Sequence, residues 1–385
     1  MKVFVVAGEP SGDRLGADLM AGLAQLEEVQ FSGVGGTRME AQGLQSLFPM
    51  EELSIMGLAE IIPKYPALRR RLHQTVEAVI AAKPDVLITI DSPEFSLRVA
   101  KLVRARSDIR TVHYVAPSVW AWRPGRAKKM ARMIDQVLAL LPFEPPYMEA
   151  AGMRCDFVGH PVVGDPAATA AERGALRAQF DLGDAPLLLV LPGSRRSEIS
   201  RLMPVFGPTV DRVLAEVPGL RPVIPAATPA GAAMIREAST GWSVAPALIT
   251  PDMPDYGAHK RAAFHEARAA LAASGTVSLE LAAAGTPMVI AYDMNRLSRI
   301  ILSRMLRINT VTLVNLVSEA RVVPEFIGAN CQPDRIAPAL LSILSDPNVQ
   351  RLALDLTMDR LGRGGEAPGL RAARAVLDGL SGGKG

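Results

Sequence analysis

Short apolar runs recur along the chain, each followed by a helix-length stretch with one apolar face. In the first half the runs fall at residues 3–7, 31–34, 86–90, 111–115 and 137–141. They are rich in Val and Ile and lack clean polar/apolar alternation, which predicts strands buried on both faces of a parallel sheet. Residues 15–27, 95–106 and 126–134 read as helices between them. The pattern restarts after Asp165, with runs at 187–191, 222–225, 247–249, 269–272 and 288–291. The repeated rhythm predicts an α/β protein of two doubly wound Rossmann-like domains facing a cleft. Gly and Pro cluster at 158–166, so the expected domains are 1–163 and 164–346. Helical stretches at 347–360 and 370–380 follow and could pack on either domain, including back on the first; residues 381–385 should fray.

Composition narrows the class. The 385 residues exceed one ordinary core. An apolar share of 49% with 21% charged residues excludes general disorder. A net charge of +3 is too small for a nucleic-acid-binding protein. Cys155 and Cys331 lie far apart, which fits a reducing compartment better than a disulfide framework. The first strand begins at Lys2 with no leader ahead of it, and no run of about 18 apolar residues occurs. The expectation is a cytosolic protein, at most attached to a membrane surface.

The polar motifs sit at strand ends, where open α/β sheets bind ligands. Leu191-Pro192-Gly193-Ser194-Arg195 and Ala273-Ser274-Gly275-Thr276 each follow a strand and feed a helix. Such turns offer backbone N–H groups and a helix dipole to phosphate. Arg195 adds a fork-shaped charge, and Glu280 can accept hydrogen bonds from sugar hydroxyls. Two such turns in one half-chain point to a nucleotide diphosphate.

In the first half, Gly8, Glu9, Ser11, Gly12 and Asp13 form a turn that suits hydroxyl binding or serves as a plain strand–helix connection. Asp91 follows an apolar run, so partial desolvation would make it a better base; otherwise it caps the next helix. Trp120 and Trp122 line a sugar face or pack a core. His113 and His160 lack metal-site spacing, and no Asp-x-Asp, Walker A or Gly-x-Ser-x-Gly pattern occurs. No metal and no cofactor are expected.

Two stretches suit a lipid surface. Ile55, Met56, Leu58, Ile61 and Ile62 make an apolar loop region ahead of Arg69, Arg70 and Arg71. On a helix wheel Arg296, Arg299, Arg304 and Arg307 fall within an arc of about 140°, largely opposite Leu297, Ile301, Met305 and Ile308. A core-facing helix with a solvated arginine face is the plainer alternative.

Taken together, these motifs resemble the lipid-A-disaccharide synthase family, inverting glycosyltransferases of the two-Rossmann-domain B type. The resemblance rests on nine ordered blocks. They are AGEPSGD at 7–13, IMGLAEIIP at 55–63, DSPEFS at 91–96, YVAPSVWAWRPGR at 114–126 and LPFEPPY at 141–147. FVGHPVVGD at 157–165, LPGSRRSEI at 191–199, ASGTVSLELAAAGTPMVIAY at 273–292 and VPEFI at 323–327 complete the set. Ser96, Ala116 and Gly328 depart from the family's usual Asn, Ser and Gln, and none of the three is Asp91, Arg195 or Glu280.

The resemblance implies transfer from UDP-2,3-diacylglucosamine to 2,3-diacylglucosamine 1-phosphate. The products would be a tetraacyl β-1,6-disaccharide 1-phosphate and UDP, formed with inversion and without a metal. It implies Asp91 as base, helped by Glu9, with Arg195 stabilising the leaving diphosphate. Gly193, Ser194, Glu198, Ser274, Gly275, Thr276, Glu280 and Asn315 would hold the nucleotide sugar. Ser11, Gly12, Asp13, Ser118, Trp120 and Trp122 would hold the acceptor. The lipid surface would be the cytoplasmic face of the inner membrane, and a homodimer is left open. A related UDP-sugar transferase or epimerase and a non-catalytic nucleotide-sugar-binding regulator remain as rivals.

Overall fold

The computed structural model describes residues 1–53, 58–121, 125–294 and 308–382, and of residues 58–64 the backbone alone. Trp122, Ile55, Met56 and the arginine-rich stretch Arg296 to Arg307 lie outside the described residues, as do the side chains of Leu58, Ile61 and Ile62.

The chain divides into two compact units, residues 1–164 with 364–385, and residues 165–363. The first holds β1 (Lys2–Ala7), α1 (Pro10–Leu26), β2 (Gln30–Val34), α2 (Thr37–Glu40), α3 (Leu58–Ala82), β3 (Val86–Ile90), α4 (Pro93–Arg104) and β4 (Arg110–Tyr114). It continues with α5 (Gly125–Met130), β5 (Gln136–Ala139), α6 (Pro145–Glu149) and β6 (Arg154–Phe157). All pairings are parallel, in the order β2-β1-β3-β4-β5-β6. Val3, Val5, Ile88 and Val112 pack one face and Phe4, Val6 and Leu87 the other, so nearly every residue of the central strands is apolar.

The second unit repeats the plan with α7 (Ala170–Gln179), β7 (Leu187–Leu191), α8 (Arg196–Glu216), β8 (Arg221–Pro225), α9 (Pro229–Ala238), β9 (Ala247–Ile249), α10 (Tyr256–Glu266) and β10 (Ala267–Ala272). Then come α11 (Val277–Ala283), β11 (Met288–Tyr292), α12 (Leu313–Ser318), β12 (Glu325–Ile327), α13 (Pro333–Ser345) and α14 (Asn348–Arg360). Its sheet runs β12-β11-β10-β7-β8-β9, again parallel.

Helix α15 (Pro368–Ser381) closes the chain and packs on α1. The two backbones approach at paired glycines: a Cβ on Gly22 would stand 2.7 Å from the Gly369 carbonyl oxygen. Gln136 Nε2 donates to Ala375 O at 2.7 Å, and Arg371 Nη2 to Phe157 O at 2.9 Å, tying α15 to the sheet. Of the stretch 347–380, α14 does not share this position: it packs on α11 and α12 of the second unit.

The region expected as an apolar loop at 55–65 contains the start of α3, whose backbone is helical from Leu58 despite Pro63 and Pro66. The edge strands β6 and β12 were not foreseen; Arg154-Cys155-Asp156-Phe157 is half polar and β12 has only three residues.

Candidate active site

Chain order places one switch point in each sheet. From β1 the chain turns to β2 on one side, then crosses to β3 on the other. Ligands of open α/β sheets bind outside the strand ends at such a point. Here β1 and β3 each lead into their helix through two residues, Gly8-Glu9 and Asp91-Ser92, and each helix opens with a proline. Proline at the first helical position loses only an N–H that would be unpaired there. Ala7 pairs with Ile90 in register, so the two connections lie side by side. A Cβ on Gly8 would stand 2.8 Å from Ser92 Oγ and 3.2 Å from Ser92 Cβ.

This edge holds its shape against local preference. Asp91, Ser92 and Val115 have φ of 47°, 42° and 82°. For L-residues the left-handed region costs about 1–2 kcal/mol each, and such outliers cluster at functional sites. Pro93 disfavours right-handed helix at Ser92. The backbone is pinned between neighbouring strands: Asp91 N–H donates to Tyr114 O at 2.9 Å and Val115 N–H to Leu138 O at 3.0 Å. Burial raises the Asp91 carboxyl above its ordinary pKa, against a lowering hydrogen bond from the Ser92 backbone. A partly desolvated carboxylate is a stronger base toward a hydroxyl.

Glu9, Ser11 and Ser118 are exposed at or beside these strand ends. Gly12 is buried, lying over Ala7 and Ile90 where α1 meets the sheet. Asp13 is engaged in the scaffold. It is buried, and its carboxylate accepts from the backbone N–H groups of Gly36, Arg38 and Met39 at 2.8–3.0 Å, capping α2. Trp120 Nε1 donates to Glu144 Oε1 at 3.3 Å, and its ring meets Phe143 edge-on at 5.1 Å. Glu144 also accepts from Leu141 N–H at 3.0 Å, so one buried carboxyl joins the connections after β4 and β5. Burial pushes its pKa up to about 7. Sequence reasoning passed over Glu144 inside LPFEPPY, because its burial comes from the fold.

In the second sheet β7 and β10 flank the switch point. Leu191 pairs with Ala272, and Ala273 N–H donates to Leu191 O at 2.8 Å, so the two glycine turns are neighbours. Gly193 has φ 97° and Gly275 φ 150°. No described atom lies within 4 Å of a Cβ built on Gly275, leaving its backbone open to close approach. Gly275 and Thr276 are exposed and Ser274 half-buried.

Arg195 is 68% exposed and pairs with Glu198 at 3.1 Å. Glu198 also accepts from the Ser194 and Arg195 backbone N–H groups at 3.1 and 3.2 Å. It is thus the turn's internal counter-ion and does not present a free carboxylate to a sugar. A side chain at Gly193 would run into it. Glu280 Oε2 accepts from Lys260 Nζ at 2.9 Å.

Asn315 is engaged by its own surroundings. It is buried, its Nδ2 donating to Thr310 Oγ1 and Val323 O while its Oδ1 accepts from Val323 N–H. Of the basic run after Pro63, Arg69 and Arg70 are exposed. Arg71 is committed inward, bonded to both Glu52 carboxylate oxygens at 2.8 and 2.6 Å and stacked on Phe48 at 4.6 Å. None of the described helices is long and apolar enough to cross a membrane.

Two doubly wound units, each with polar groups at its switch point, define the class: a B-type glycosyltransferase fold. The UDP-GlcNAc 2-epimerase of Neisseria meningitidis, solved bound to UDP-GlcNAc, shares it with a TM-score of 0.65 at 12% identity, covering 99% of this chain and 100% of that one. The lipid-A-disaccharide synthase of Ruegeria pomeroyi is 63% identical over 99% of this chain and 96% of its own length. That of Rhodospirillum centenum is 47% identical over 98% and 94%. Residues 3–364 match the family Lipid-A-disaccharide synthetase, and the chain belongs to that family of glycosyltransferases.

Proposed function

We propose that the protein transfers the sugar of UDP-2,3-diacylglucosamine to the 6-hydroxyl of 2,3-diacylglucosamine 1-phosphate, with inversion and without a metal. Family membership over residues 3–364 supports the joining of two lipid A sugars. The observation that carries the assignment of chemistry is the contrast at the switch points: a partly desolvated carboxylate at one, the open Gly275 turn beside an arginine-bearing turn at the other. The Neisseria neighbour holds a UDP-sugar on the same fold, which supports the donor class.

In this reading the first unit takes the acceptor. Asp91 accepts the proton of the attacking hydroxyl as the new C–O bond forms, and Glu9, Ser11, Ser118 and Trp120 position the sugar. The second unit takes the donor. Arg195 has guanidinium donors beyond the one on Glu198 and, with the Gly275 turn, stabilises charge developing on the departing diphosphate. Glu280 accepts from the ribose hydroxyls. Exposed Tyr65, Arg69 and Arg70 meet the anionic cytoplasmic face of the inner membrane.

The test is an assay of UDP release and disaccharide formation from purified protein, both lipids and EDTA. UDP and disaccharide together support the reaction and its metal independence. Activity that returns only with a divalent cation overturns the latter. Release of UDP only with another acceptor overturns the substrates, and turnover of UDP-GlcNAc alone points to an epimerase.

A further inference from the structure

Lys260 lies on α10, one element before β10, and no motif of the chain drew attention to it. Its ammonium sits 2.9 Å from Glu280 Oε2 and 5.2 Å from the centre of the Phe264 ring. Phe264 is one helical turn further along α10, which sets its ring beneath the ammonium. The pair is neither buried nor fully solvated: the Lys260 side chain is 37% and the Glu280 side chain 40% exposed. Each partner keeps hydrogen-bonding capacity. The bond uses one of three ammonium protons and engages one of two carboxylate oxygens.

A vicinal diol offers two O–H donors and two acceptor oxygens. A lone carboxylate can only accept from it. A carboxylate beside an ammonium can accept from one hydroxyl and donate to the other, with both protein groups charged. We propose that Lys260 and Glu280 together read the ribose diol of the donor nucleotide, Lys260 being a specificity-determining residue for that sugar. The pairing also holds Glu280 in one rotamer before the nucleotide arrives, which lowers the ordering cost of binding. The proposal rests on the nucleotide-binding reading of the second unit.

The experiment compares binding of UDP and 2′-deoxy-UDP by calorimetry to the full chain and to Lys260→Met, Lys260→Arg and Glu280→Gln. Loss of a charge-assisted hydrogen bond is worth about tenfold in affinity. Lys260→Met should weaken UDP by about that factor and 2′-deoxy-UDP far less, collapsing the ratio between them, while Lys260→Arg retains most of it. A merely structural lysine would weaken both ligands equally, and that result overturns the proposal. So does an unchanged ratio in Lys260→Met when Glu280→Gln collapses it. If Glu280→Gln also leaves the ratio unchanged, the ribose role of Glu280 falls as well. If UDP does not bind the wild-type chain, the nucleotide reading itself falls.

Discussion

The two switch points share a topology and differ in how they are built. In the second unit the turns after β7 and β10 reach unusual backbone angles through Gly193 and Gly275, where a missing Cβ makes positive φ inexpensive. In the first unit the switch point lies between β1 and β3, and the positive angles there fall on Asp91 and Ser92 after β3, with Val115 after the adjoining β4, residues for which positive φ is costly. A glycine turn lets the main chain approach an anion, as the open Gly275 turn allows, while at the Gly193 turn Glu198 occupies the Ser194 and Arg195 N–H groups. A base needs a particular side chain at a particular place, so the backbone must carry a side chain through a strained angle. On the proposed function, strain gathers where a side chain would do the chemistry and is relieved where the main chain would bind.

The largest break in this comparison should come from Asp91→Asn. It keeps the shape of the edge and removes the proposed base, so kcat should fall by roughly 10²–10⁴-fold, with both substrates still bound, as single-turnover UDP release would read. The same carboxylate should give the wild type an acid limb. Its pKa is raised by burial, so activity should be lost as pH falls through a value above that of an ordinary aspartate.

Next comes Arg195→Met, which should lower kcat/KM by about 10²-fold in steady-state assays, the loss expected when one donor to a developing oxyanion is removed. Smaller, and sharper as a probe of packing, is Gly8→Ala. Its methyl would push on Ser92 and through it on Asp91, and misplacement of a reacting group by a fraction of an ångström should cost about tenfold in kcat. Adding Ser92→Gly makes room for that methyl and should restore the rate.

The mildest effect is on stability alone. Glu144 has a folded pKa raised to about 7, so the folded state holds its proton more tightly than the unfolded chain. Its contribution therefore declines as pH rises from the ordinary glutamate range through about 7, and the decline is complete above that. Glu144→Gln should shrink the fall in Tm between about pH 5 and about pH 8, measured by calorimetry. A fall as large as in the wild type would remove Glu144 as its source.

Much of the plan was legible because burial on both faces leaves apolar runs that survive in one dimension. The cores of β3, β7 and β9 fall at the expected residues. Elements at the margins lost that signal: β6 carries Arg154 and Asp156, and α3 is interrupted by Pro63 and Pro66. At the site, residue type and nearness to a strand end were legible, but not the direction of the side chain. Asp91 and Asp13 both follow apolar strands, yet Asp13 turns back to cap a helix more than 20 residues away. Lys260 and Glu144 carry no local signal at all. Each acquires its partner only when two elements meet.

The return of α15 to the first unit has a consequence for the making of the protein. The second unit is continuous from Asp165 to Arg363, whereas the first lacks a core-forming helix until residues 368–381 have been synthesised. On a ribosome, which delivers the N-terminus first, the half begun earlier is therefore the half finished last. The face of α1 around Gly22 waits uncovered while the whole second unit emerges, and the nascent chain is most exposed to chaperones and proteases at its oldest segment.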